Sequence, residues 1–268
     1  MWKISRIGFL LLLFFFIVSC EDKKENAVDA DLYWTPLPQT SFQYQLSGTV
    51  DTTVTARVFD IDAFEATPEL VARLHKMGKK VIGYISVGTY ENWRPDTALF
   101  PKEVIGNVVE GWPGEKWLDI HQISKLAPVL KARLDMVKSK GFDAVEADNI
   151  DGYENLTGFA ITQKEELVFA KWLADEAHNR GLSIGQKNAS MLAGDLFSFY
   201  QWALVEDCFI YGECDFFQPY IEQKKAVFSV EYTDDSVDFD QYCMKADSLQ
   251  FTGILKHRSL DSWLRSCH

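Results

Sequence analysis

Eight short apolar runs, rich in β-branched and aromatic residues, recur along this chain, each followed by polar residues and then by a segment with helical spacing. They are Phe42 to Leu46, Arg57 to Asp62, Val81 to Val87, Ala144 to Asp148, Ser183 to Asn188, Ala203 to Glu206, Ala226 to Tyr232 and Gly253 to Lys256. Short, nearly continuous apolar runs suit strands buried on both faces, the condition of a parallel sheet. Strands alternating with helices imply such a sheet, and eight imply its closure into one α/β domain, a (β/α)8 or TIM barrel. An open doubly wound sheet is the competing architecture. It would usually bring a glycine-rich phosphate loop after its first strand, and this chain has neither GxGxxG nor GxxxxGK[ST].

The helix signals between the runs are of the same quality. Thr67 and Pro68 read as an N-cap followed by Pro at the first helical position, Leu70, Val71, Leu74 and Met77 make one apolar stripe, and Gly78 ends it. Ile123, Leu126, Leu130, Leu134 and Val137 form a second stripe before Gly141. Thr162 with Glu165 predicts a capping box ahead of a helix through Leu167 to Ala177, stopped by Gly181. The stretch from Gly88 to Leu118 has no regular period and is rich in Trp, Pro and Gly, so it is expected as a long loop walling the barrel mouth.

The N-terminus carries Lys3 and Arg6, an apolar stretch from Ile7 to Val18, and then Ser19-Cys20. We expect residues 1–19 to be a secretory signal, Cys20 to be a lipidation site of bacterial lipobox type, and residues 20–31 to be a tether. An ordinary cleaved signal or an uncleaved anchor is the alternative. The barrel then occupies residues 32–268, and membrane association is expected through the lipid alone, in the periplasm or at the cell surface. Loss of Lys3 and Arg6 with the signal moves the net charge from -12 to -14, which argues against nucleic acid as a partner. Cys208, Cys214, Cys243 and Cys267 remain, an even number in an oxidising compartment. Pairing of Cys208 with Cys214 and of Cys243 with Cys267 is plausible, and the two other connectivities stay open. No feature favours an oligomer, so a monomer is expected.

If the runs are barrel strands, their carboxyl ends form a ring around one cavity, and that ring is polar. It offers Asp60 and Asp62, Tyr84 and Ser86, Glu146 and Asp148, Lys187 and Asn188, Glu206 and Asp207, Glu231 and Tyr232, and Lys256. The segment from Asp143 to Asp151 alone holds four acids within nine residues, at a strand end, where barrel chemistry is placed. Strand alternation lets only one member of each neighbouring acid pair face the lumen. Trp93, Trp112, Trp117 and Tyr220 supply planes for stacking on sugar faces. Two carboxylates across a cleft are the minimum machinery of glycoside hydrolysis, which requires no cofactor. A serine triad would want a GxSxG turn, and a metal hydrolase would want histidines in the strand runs; neither pattern occurs.

The segments Val58 to Phe64, Val81 to Asp96, Gly141 to Tyr153 and Val205 to Cys214 resemble those of glycoside hydrolase family 114, whose characterised members are endo-α-1,4-polygalactosaminidases. Trp112, Trp117 to Asp119, Lys187-Asn188, Val230 to Tyr232 and Ile254 to Lys256 extend the likeness over nearly all of Trp34 to Trp263. The resemblance implies a (β/α)8 barrel, Asp148 and Glu206 as the catalytic pair (nucleophile and acid/base, respectively), and no metal or other cofactor. It also implies binding roles for Asp60, Asp62, Tyr84, Glu91, Trp93, Asp151, Tyr153, Lys187, Asn188 and Tyr220. The implied substrate is an α-1,4-linked galactosamine polymer, cationic where it is de-N-acetylated and thus suited to an acidic cleft. A non-catalytic sugar-binding lipoprotein on the same barrel, or a hydrolase of this fold acting on another sugar, are the alternatives.

Overall fold

The computed structural model describes residue 2 and residues 32–267. Cys20 and the expected tether therefore lie outside the described residues, as does nearly all of the expected signal. Twelve strands are present among the described residues: β1 (Phe42–Gln45), β2 (Val58–Asp62), β3 (Lys80–Ser86), β4 (Thr89–Glu91), β5 (Ile105–Val109), β6 (Trp112–Leu118), β7 (Ala144–Asp148), β8 (Ser183–Lys187), β9 (Trp202–Glu206), β10 (Val227–Tyr232), β11 (Thr252–Lys256) and β12 (Arg265–Ser266). One curled sheet runs β1-β2-β3-β7-β8-β9-β10-β11-β12, parallel throughout except for the antiparallel β12. Its eight parallel strands coincide with the eight apolar runs and follow one another in chain order, as in a (β/α)8 barrel.

Closure is partial. Between β11 and β1 the backbone ladder is replaced by other bonds: Thr252 Oγ1 donates to the Thr40 carbonyl (2.9 Å), Lys256 Nζ to Gln43 Oε1 (3.2 Å), and the amides of Leu46 and Ser47 to the Leu260 carbonyl (2.9 and 3.1 Å).

The helices arise where their signals lie. Thr67 caps helix α1 (Pro68–Lys76) through the Leu70 amide, and Val71 and Leu74 bury its inner face, while Met77 falls at the C-cap and is exposed. Helix α2 (Ile123–Ser139) buries Leu126, Leu130, Leu134 and Val137. Helix α3 (Gln163–His178) begins with the complete Thr162–Glu165 capping box. The interval between β1 and β2 holds no helix, so the barrel's outer ring is interrupted there.

The stretch from Gly88 to Leu118 is a correction to the expected loop, since it folds β4, β6 and β5 into a small antiparallel sheet. Its register shifts between Ile105, Val108 and Val109 break the two-residue alternation by which a strand is read from sequence. Two disulfides, Cys208–Cys214 and Cys243–Cys267, adopt the pairing that spacing suggested.

Alternation within the barrel strands fixes what lies inside. Phe59, Ile61, Val81, Ile85, Val145 and Ile184 face the helices, whereas Val58, Ile82, Ala144, Trp202, Phe228 and Ile254 belong to the interior cluster. Trp202 occupies the centre, edge-on to Phe228, which stacks on Phe42 at 4.4 Å. Gly185 makes room for it, because a Cβ there would lie 2.3 Å from the indole ring. The lower barrel is thus packed solid, and chemistry is confined to its upper end.

Candidate active site

Farther along the strands, in steps of two residues, the same inward parity places polar side chains. Asp62 continues Val58 on β2, Tyr84 continues Ile82 on β3, Glu146 and Asp148 continue Ala144 on β7, and Glu206 continues Trp202 and Leu204 on β9. These strands open into a cavity of about 420 Å³, lined also by Lys187, Tyr232, Tyr44 and by residues of the small sheet. The chain turns away from the site in one repeated manner. Asn149, Asn188 and Asp207, each immediately after a strand-end side chain of the cavity, have φ of 65°, 46° and 57°. Asn and Asp tolerate this left-handed region best among non-glycine residues. Ala189 follows with φ 53°, a costlier occupant.

Lys187 is the hub. Its buried ammonium lies 2.9 Å from Glu146 Oε1, 3.2 Å from Asp148 Oδ1 and 3.1 Å from Glu206 Oε2, and it also donates to the Tyr44 hydroxyl at 3.2 Å. One positive charge thus faces three carboxyl groups, and their environments separate them. Glu146 lies deepest. Burial pushes it up to about 7 despite the attraction of Lys187, and the neighbouring Asp148 adds to the rise. Asp60 sits beside Glu146 in the interior, and burial together with that neighbour raises it well above the carboxylate range. Glu206 differs. Burial acts to raise it, but the Lys187 ammonium, the Tyr232 hydroxyl and the Asn188 amide outweigh burial and hold it below its ordinary value. Tyr232 donates a short hydrogen bond to Glu206 Oε1, and Tyr84 donates to Asp148 Oδ2 at 2.9 Å. Asp148 and Glu206 therefore present ionisable groups to one cavity from strands two positions apart in the sheet, each fixed by a tyrosine and sharing a cation.

The other sequence-predicted residues divide into two sets. Asp62, Tyr84, Glu91, Trp93, Asp151, Lys187 and Asn188 line the cavity. Asp62 and Glu91 do so while bound to Arg94, whose Nη2 lies 2.7 Å from Asp62 Oδ2 and 2.8 Å from Glu91 Oε1. Asp60, Tyr153 and Tyr220 are absent from its lining. Asp60 is one layer too deep, Tyr153 packs beside the core, and Tyr220 is fully buried behind β8, donating to Gln186 Oε1 at 2.7 Å. Of the four aromatic planes, Trp93 and Trp112 are half exposed at the cavity, while Trp117 is buried elsewhere. Glu115, Arg258, Tyr44 and Tyr232 also line the site although they stand outside the expected binding set. Arg258 rests over the Tyr232 ring at 4.1 Å and is paired with Asp207, Asp234 and Asp235.

Residues 23–268 match the family model of glycoside-hydrolase family GH114. Among solved structures, Ega3 of Aspergillus fumigatus, crystallised with galactosamine, shares 38% identity over 87% of this chain and 97% of its own, with a TM-score of 0.82. The glycoside hydrolase domain of PelA from Pseudomonas aeruginosa is similar in fold at 15% identity, with a TM-score of 0.63 over 85% of this chain and 98% of that one. The α-galactosidase TtGalA of Thermus thermophilus is a more distant likeness of fold, at 12% identity and a TM-score of 0.52 over 85% of this chain and 60% of that one. No curated protein matches the sequence.

Proposed function

The chain belongs to glycoside-hydrolase family GH114 and is a glycoside hydrolase; from that premise we propose that it cleaves a galactosamine-containing polysaccharide with Asp148 and Glu206 as its catalytic pair. The observation that carries the assignment is the shared contact of both carboxylates with Lys187 across one cavity. The galactosamine bound by Ega3 supports the sugar.

The two facing oxygens are 3.2 and 3.1 Å from one nitrogen and cannot be farther apart than the sum of those distances. That limit concerns the nearest oxygens, and a pair drawn this close to one ammonium suits the retaining route, whose carboxyl groups stand about 5 Å apart. In the first displacement Asp148 attacks the anomeric carbon while Glu206 protonates the departing glycosidic oxygen. In the second, Glu206 takes a proton from water, which attacks the glycosyl–Asp148 ester and releases the sugar.

The reverse division has one observation in its favour, the depressed pKa of Glu206, which suits a nucleophile better than a resting acid. Azide separates the two. A small anion rescuing the alanine variant of the acid/base gives a glycosyl azide of retained configuration, and rescuing that of the nucleophile gives the inverted one. Glu206→Ala is expected to yield the retained product.

The experiment that tests the function uses residues 31–268 and partly de-N-acetylated α-1,4-galactosamine polymer. Oligosaccharides should appear with the wild type and vanish with Asp148→Asn and with Glu206→Gln. Full activity in either variant removes the assignment, and binding without products across a glycan panel would make the protein a sugar-binding module.

The placement of the enzyme is also a proposal. The segment from Lys3 to Cys20 supports export and lipidation at Cys20, and the two disulfides suit an oxidising compartment. Cys20→Ser should move the protein from the membrane to the soluble fraction.

A further inference from the structure

Glu206 is held from two strand ends. Lys187 and Asn188, at the end of β8, reach its Oε2, and the buried Tyr232, at the end of β10, donates a short hydrogen bond to Oε1. Tyr44, Glu146 and Asp207, with Asp148 across Lys187, complete the titratable groups around it.

The ring of Tyr232 has a partner of its own. Arg258, from the loop after β11, lays its guanidinium over the ring face at 4.1 Å. The guanidinium is fixed from three sides. Nη1 lies 3.2 Å from Asp207, the residue after Glu206, while Nε lies 2.9 Å from Asp234 and Nη2 bonds to Asp235, both just beyond Tyr232. A planar fork held by several carboxylates keeps its orientation, so one side chain ties the segment that follows Glu206 to the segment that follows Tyr232 and covers the ring between them. Ion pairs as exposed as these add little to stability, which leaves the ring contact as the place where the arginine can matter.

Resting on the assignment of Glu206 to the catalytic pair, we infer that Arg258 is a positioning residue, which holds the Tyr232 hydroxyl on Glu206 and through it sets the protonation of that carboxyl group. The cation is attracted to the ring face and keeps the phenol where its hydroxyl reaches Oε1. Donation to a carboxylate stabilises its charged form. Loosening the phenol should therefore let Glu206 keep its proton to higher pH.

The test is the pH dependence of kcat/KM, whose limbs report the essential acid and base of the free enzyme. Tyr232→Phe keeps the ring and removes the donor, and should move the limb of Glu206, the alkaline one if it is the acid/base, to higher pH by about one unit. Arg258→Met should move the same limb the same way by about half a unit. In the Tyr232→Phe background, Arg258→Met should move it no further, because no hydroxyl remains for the arginine to hold. A shift that persists in that background would mean that Arg258 acts on Glu206 directly through its charge, and a lower rate with unmoved limbs would mark a merely structural residue; either overturns the inference. Should Arg258→Met fail to fold, Asp234→Asn combined with Asp235→Asn loosens the fork from outside the cavity lining, and the inference falls if the same limb does not rise there. The profiles are taken on the partly de-N-acetylated polymer. A wild type that leaves this polymer intact but cleaves another glycan defeats the galactosamine reading alone, and the profiles on that glycan then decide the role of Arg258.

Discussion

At Lys187 three carboxyl groups meet one ammonium, and the residue's value lies in what its removal would leave behind. Lys187→Met would strand Glu146, Asp148 and Glu206 in a buried site without a cation, and breaking a buried pair in this way costs on the order of 3–5 kcal/mol. We expect kcat to fall at least 100-fold, about 2.7 kcal/mol, and thermal melting to show the loss of stability. Glu166 makes the opposite case. It is fully buried on α3, and burial, with Asp151 beside it, pushes it up to about 8. Its folded pKa thus exceeds the unfolded value near 4.5, so the folded state binds the extra proton between these limits and loses stability as pH rises through that window. Glu166→Gln, which cannot ionise, should raise the melting temperature more at pH 8 than at pH 5. A gain equal at both pH values would show that Glu166 is not protonated in the folded enzyme.

Single elements show what a sequence can and cannot disclose. The barrel strands are readable to within a residue or two because strands buried on both faces appear as short runs dominated by apolar, β-branched and aromatic residues. The small sheet is not, because its bulged register scrambles alternation, and with it Glu115 is overlooked. Depth is a second blind spot. Parity predicts that Asp60 points inward, but only the strand stagger tells that it lies beneath the cavity with Glu146. Tyr220 fails differently, since its short helix packs behind β8 and its hydroxyl is used by Gln186. Local signals such as caps need no tertiary information and are read directly. Thr162→Ala removes the capping box of α3 and should cost about 1 kcal/mol in denaturant unfolding without changing the specificity of cleavage.

For the molecule as a whole, stability and activity are divided between the lower and upper barrel. Gly185→Ala would drive a methyl group into the Trp202 ring, and overpacking of this kind costs typically about 1–3 kcal/mol. Lys187 lies two residues farther along the same strand, so the variant should also lower kcat as well as the unfolding midpoint. The seam between the first and last parallel strands lies at the other extreme of packing. Leu46 and Ser47 on one side and Leu260 on the other border the cavity and are joined there by two hydrogen bonds from backbone amides to one carbonyl. A polysaccharide lying across these edges would lace together what the backbone leaves unstitched. Deuterium uptake at those two amides should therefore slow when an oligosaccharide is bound, making this the place where occupancy stiffens the barrel.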